Sequence, residues 1–177
     1  MKFYKVSWEE LVNDCLELNK KIRHDKFDRI LCVSRGGLIW ARMLSDLLGL
    51  PVSHLTVSSY QDLKKQKEIK ITETPSGLQN QYFLIVDEIV DTGGTLKVVT
   101  DYLKSQKIKK FKSLAPIVRT FSNPLPDYHL KTINDWVIFP YELKETYEAF
   151  VKIYKSNEKA RRQLLNHGFK EWEVENL

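Results

Sequence analysis

The spacing of apolar positions changes along the chain, and each change marks an expected element. Leu11, Cys15, Leu18 and Ile22 recur at helical spacing behind Ser7-Trp8-Glu9-Glu10, a capping-box pattern, so a helix is expected over 8–23. RILCV (29–33) is a short continuous apolar run, the signature of a strand buried on both faces. A helix is expected over 38–48, stopped by Gly49 with Pro51 just beyond. VSHLTV (52–57) alternates like a strand, and FLIV (83–86) is a second buried run. A helix over 95–107 and a strand over 114–118 follow, then a Pro-rich loop over 121–127 and short strands at 128–131 and 136–139. From Leu143 the spacing turns helical again, with Tyr147, Phe150, Val151 and Tyr154 on one face and a further helical piece around 160–165.

Strands that alternate with helices imply parallel pairing through right-handed crossovers. The expected class is therefore α/β, an open, twisted, mainly parallel sheet with helices on both faces, a small hood and a helical C-terminal tail. Residues 1–142 form the expected main domain, and 143–177 an accessory tail packed on it. Residues 61–79 break the alternation. They are polar, carry Lys64, Lys65, Lys67 and Lys70, and read either as a mobile lid or as a surface hairpin built on KEIKIT.

At 177 residues, with 42% hydrophobic and 29% charged residues, the chain suits one soluble domain with a sizeable core. A net charge of +5 favours anionic ligands, yet the lysines are dispersed and no nucleic-acid motif accompanies them, so no nucleic-acid partner is expected. Cys15 and Cys32 sit in apolar patterns without metal-ligand spacing, which fits a reducing cytoplasm. No run of 18 apolar residues suggests a membrane span.

The chemistry concentrates at two strand-to-helix junctions. Asp87 and Glu88 stand at the carboxyl end of the 83–86 strand, and Asp91-Thr92-Gly93-Gly94-Thr95 opens the next helix. Threonine hydroxyls and glycine amides at a helix N-terminus suit a phosphate. Three carboxylates beside it would repel a bare anion. A phosphorylated sugar, whose hydroxyls or bound Mg²⁺ satisfy the acids, resolves the conflict. Ser34-Arg35-Gly36-Gly37 repeats the logic at the other junction with a guanidinium. In a parallel sheet both loops open on one edge, where such folds bind ligands. GxxxxGK[ST] is absent, which argues against a nucleotide kinase.

The stretch IVDEIVDTGGT resembles the signature for 5-phosphoribosyl 1-pyrophosphate (PRPP) of type I phosphoribosyltransferases, and SRGG resembles their pyrophosphate loop. VSRGGL, SSY, PDY and WVIFPYE resemble the small bacterial and archaeal 6-oxopurine enzymes over residues 29–142. The resemblance implies a Mg²⁺-dependent purine salvage enzyme with PRPP and a purine base as substrates, and a nucleotide and pyrophosphate as products. It places the ribose 5-phosphate on Asp91, Thr92, Gly93, Gly94 and Thr95, and the ribose hydroxyls or Mg²⁺ on Asp87 and Glu88. The pyrophosphate falls to Ser34, Arg35, Gly36 and Gly37, with a cis peptide before the Arg. Asp91 becomes the candidate general base, Arg35 the leaving-group stabiliser and Tyr60 a lid residue, while Arg119, Trp136 and Val137 hold the base. A homo-oligomer, dimer or tetramer, is also expected.

Arg119 stands where the 6-oxopurine enzymes carry a Lys. The two are not interchangeable, so the base stays open. A phosphoribosyltransferase for another base, and a PRPP- or nucleotide-sensing regulator on the same fold, are the alternative readings.

Overall fold

The computed structural model describes residues 2–61 and 67–177. It divides into two compact units, Asn13–Ile133 and Met1–Val12 with Asn134–Leu177. In the larger unit β2 (Arg29–Ser34) lies between β3 (Val52–Gln61) and β5 (Phe83–Val86), parallel to both, and β7 (Phe111–Leu114) extends the sheet in parallel. β4 (Lys67–Glu73) closes the other edge antiparallel to β3, giving the order β4-β3-β2-β5-β7. The apolar runs at 30–33 and 83–86 are buried throughout, as strands covered on both faces must be. Leu31, Val33, Phe83 and Ile85 share one core cluster with Val99 and Leu103 of helix α3 (Gly94–Ser105).

Several boundaries differ from the sequence pattern, each for a nameable reason. β3 runs to Gln61 rather than 57, because KEIKIT pairs with it as β4, the hairpin alternative for 61–79. The expected strand at 114–118 is two strands. β7 starts at Phe111, and after Ala115-Pro116 the chain resumes as β8 (Ile117–Val118) in a separate parallel sheet with β6 (Ile89–Val90) and β9 (Lys131–Thr132). The strand expected over 128–131 shrinks to β9, and Tyr128 makes only an isolated bridge to Leu114. Two-residue strands carry no period to read.

In the smaller unit, β1 (Phe3–Lys5) pairs in parallel with β10 (Trp136–Ile138). Helices α4 (Leu143–Tyr154), α5 (Asn157–Asn166) and α6 (Glu171–Val174) gather Ile138, Phe150, Ala160, Leu164, Phe169 and Val174 into one core. Phe3 meets the Phe150 ring edge-on at 5.0 Å, and Lys5 Nζ donates to the Gly168 carbonyl at 2.7 Å. Helix α1 (Trp8–Ile22) begins where expected, with Ser7 Oγ accepting the Glu10 N–H at 3.0 Å.

A buried ion pair joins α1 to β9 in the larger unit. Lys131 Nζ lies 2.6 Å from Asp14 Oδ2, whose side chain is only 9% exposed. Removing the lysine takes a charge partner at 2.6 Å from a carboxylate in a poorly hydrated place, which costs more than the pair itself contributes. Lys131→Met should lose about 3 kcal/mol of unfolding free energy at neutral pH in a denaturant titration, and adding Asp14→Asn should recover part of it.

Candidate active site

The cleft of the larger unit forms where β2 and β5 end side by side. Cys32 pairs in register with Val86, so the two loops that follow emerge together. A cavity of about 330 Å³ results, lined by Ser34, Arg35 and Gly36 from one loop and by Asp87, Glu88 and residues 91–95 from the other. The two anion loops expected from sequence therefore share one space, with the acids on its wall. Val57 and Ile69, from the β3–β4 hairpin, complete the lining.

Helix α2 (Leu38–Leu48) follows the first loop and α3 the second. Neither has an acid in its first turn, whereas each of the other four helices among the described residues does. Their positive ends therefore carry no acid of their own helix, and the Glu88 carboxylate, which a Cβ on Gly36 would strike, is the acid that stands at the start of α2. Gly37 starts α2 with its N–H on the Val33 carbonyl at 2.9 Å, and a Cβ there would collide with the Val33 and Val86 carbonyls. The Ser34–Arg35 peptide is cis, as the sequence resemblance implies.

The second loop is shaped by a partner that sequence reading assigned no role. Gly93 has φ +95°, and a Cβ there would strike the carbonyl of Asn123. The Asn123 N–H donates to the Thr92 carbonyl at 3.1 Å, and the 123–124 peptide is a cis X-Pro bond. Ser122 Oγ, buried, lies 2.6 Å from the Val90 carbonyl and 2.7 Å from that of Asp91. The paired prolines of 121–127 marked this segment as a loop, but only the fold reveals that it braces the 91–95 loop.

Asp87 and Glu88 differ in setting. The Asp87 N–H donates to the Leu114 carbonyl at 3.1 Å, and Asp87 Oδ1 accepts the Glu88 N–H at 2.8 Å. Burial pushes the Asp87 carboxyl up to about 7, with the Glu88 amide pulling the other way. This acid is short of positive charge. Among the described residues no three His, Cys, Asp or Glu side chains converge as a metal cage. Mg²⁺ needs none, since it keeps waters and substrate phosphates and takes one or two carboxylates. Asp87 and Glu88 fit that demand.

Asp91 is 61% exposed, and its Oδ1 accepts from Arg119 Nε at 3.0 Å. Arg119 itself is only 13% exposed. Trp136 and Val137, the other expected base-binding residues, lie on β10 in the smaller unit, with Trp136 46% exposed and Val137 buried. Tyr60 sits near the end of β3, and its side chain lies outside the described residues, as does that of Ser59.

A five-stranded, mainly parallel sheet with two anion loops and paired acids at one edge defines a type I phosphoribosyltransferase fold. The chain belongs to the phosphoribosyl transferase domain family, whose model matches residues 7–147, and is a pentosyltransferase. The xanthine-guanine phosphoribosyltransferase of Idiomarina loihiensis is 32% identical over 146 residues, 78% of this chain and 86% of that protein. Among solved structures, the purine phosphoribosyltransferase from Pyrococcus horikoshii superposes with a TM-score of 0.73 at 32% identity, covering 80% of this chain and 95% of that one. The Helicobacter pylori xanthine-guanine-hypoxanthine phosphoribosyltransferase gives 0.70 at 29% identity, covering 86% and 98%.

The raised Asp87 carboxyl has a sign that can be tested. Between its ordinary 3.8 and about 7 the folded state holds a proton that the unfolded chain has released. Its stabilising contribution is therefore full below about pH 4 and lost as pH rises through 7. In ligand-free thermal melts, Asp87→Asn should gain on the parent protein from pH 5 to pH 8, by about 1–2 kcal/mol at the upper end.

Proposed function

We propose that this protein is a purine salvage phosphoribosyltransferase that moves the 5-phosphoribosyl group of PRPP onto a 6-oxopurine, that is guanine, hypoxanthine or xanthine. The observation that carries the reading is the shared cleft, in which Arg35 and the acids 87 and 88 stand within one cavity with the 91–95 phosphate loop. A ligand with phosphate at both ends and hydroxyls between them matches that order of groups. The relatives, named as xanthine-guanine and purine phosphoribosyltransferases, support a purine as the acceptor.

In this reading the 5-phosphate sits on the amides and hydroxyls of residues 92–95, at the start of α3. Ser34, Arg35 and the Gly36 and Gly37 amides take the pyrophosphoryl group. Asp87 and Glu88 hold the ribose hydroxyls and Mg²⁺, which supplies positive charge to the leaving group when bound. A ring nitrogen of the base forms the new bond to the anomeric carbon as the bond to pyrophosphate oxygen breaks, and the electron pair leaves with pyrophosphate. Asp91 accepts the proton given up by the imidazole ring of the base. Arg35 offsets charge on the departing oxygens, which is electrostatic stabilisation of the transition state.

Base recognition by Trp136 and Val137, and lid duty for Tyr60, belong to the same proposal on the strength of the sequence resemblance. Two free, buried thiols, Cys15 and Cys32, support a cytoplasmic location.

The test is pyrophosphate release from PRPP and Mg²⁺ with guanine, hypoxanthine, xanthine and adenine in turn. Turnover with at least one 6-oxopurine is expected, and none with any would sink the proposal. Asp91→Asn should lower kcat by about 10²–10⁴-fold while PRPP still binds, as measured by calorimetry.

A further inference from the structure

Arg119 occupies the position at which a base-reading side chain is expected, yet its contacts run elsewhere. Nε donates to Asp91 Oδ1 at 3.0 Å, and Nη1 donates to the Ile133 carbonyl at 2.7 Å. The Arg119 backbone N–H donates to Ser122 Oγ at 2.8 Å. That hydroxyl lies against the Val90 and Asp91 carbonyls, and the next residue, Asn123, holds the Thr92 carbonyl. Arg119 thus holds Asp91, Ser122 holds Val90 and Asp91, and Asn123 holds Thr92, while the Ile133 carbonyl beyond β9 fixes the far side of the guanidinium.

The exposures divide the labour. A side chain meant to meet substrate would be the open member of the pair, but Arg119 is 13% exposed and Asp91 61%. Arg119 is also not among the residues lining the cleft, whereas Asp91 is. A guanidinium is a rigid planar fork that can engage two acceptors in set directions, which the single ammonium of Lys cannot do. With Oδ1 engaged, the carboxylate is turned so that Oδ2 is the oxygen left to accept from an incoming base.

We propose that Arg119 is a positioning residue for Asp91, orienting its carboxylate toward the base and offsetting its charge beside Asp87 and Glu88, rather than a reader of the base edge. The proposal rests on the phosphoribosyl-transfer reading for its kinetic consequences, but the Arg119–Asp91 coupling can be read without turnover.

Arg119→Met, Arg119→Lys, Asp91→Asn and the Met/Asn double variant would be compared by steady-state kinetics and by ligand-free melting. Arg119→Met should lower kcat about 10–100-fold, the cost of misplacing one catalytic group, with KM for PRPP and the order of preference among bases unchanged. Arg119→Lys should restore only part of kcat. Arg119→Met should cost little in the Asp91→Asn background, where the double variant should match Asp91→Asn alone, because Arg119 acts only through that carboxylate. In melting, the double variant should lie above the sum of the singles.

A raised KM for the base with kcat kept, or a reordered preference among bases, would make Arg119 a base reader and overturn the proposal. Additive losses in kcat and melting temperature would reduce it to a structural residue and overturn it too. If the parent protein turns over no base while the melting coupling persists, the functional reading fails and the Arg119–Asp91 pairing stands.

Discussion

The cleft depends on one close approach, that of the 119–124 segment to the 91–95 loop. Gly93 can follow its path only because it has no side chain to strike the Asn123 carbonyl, and that carbonyl stays put because the Asn123 amide is bonded to Thr92. The Ser122 hydroxyl adds a second tie at Val90 and Asp91. Loops that bind phosphate through backbone amides must be held, since an amide that wanders gives up most of an oriented hydrogen bond. Here the holding comes from a neighbouring loop and not from the sheet alone.

The same segment answers an electrostatic problem. Asp87, Glu88 and Asp91 line the cleft together, and their charge would disfavour the phosphates of the proposed substrate unless offset. Burial raises the Asp87 carboxyl, so the ligand-free protein can leave that site partly neutral near pH 7. Asp91 stays open to solvent and gains a guanidinium at 3.0 Å. Two acids four positions apart thus sit in opposite settings, one desolvated and the other exposed beside a guanidinium.

Much of this was legible in the sequence. The runs at 29–33 and 83–86 are too apolar for a half-buried strand, and Gly49 and Pro51 mark the end of α2 where it falls. The order of acids, threonines and glycines at 87–95 picked out residues that the fold brings into one cavity. What stayed hidden is non-local or too short to have a period. β1, β6, β8 and β9 have two or three residues each and exist only through their partners. FKSL at 111–114 looks too polar for a core strand, yet Ser113 is buried because Asp127 accepts both its N–H and its hydroxyl. Arg119 and Asp91 lie 28 residues apart, and no pattern along the chain announces that they meet.

The most direct measurement of the central claim, that the cleft is a phosphoribosyl site, is a crystal structure with a purine nucleoside 5′-monophosphate and Mg²⁺. Phosphate oxygens should bond to the amides and hydroxyls of residues 92–95, ribose hydroxyls should lie at Asp87 and Glu88, and Arg119 should remain on Asp91. A nucleotide whose phosphate binds away from the 91–95 loop, with those acids facing empty solvent, would contradict it.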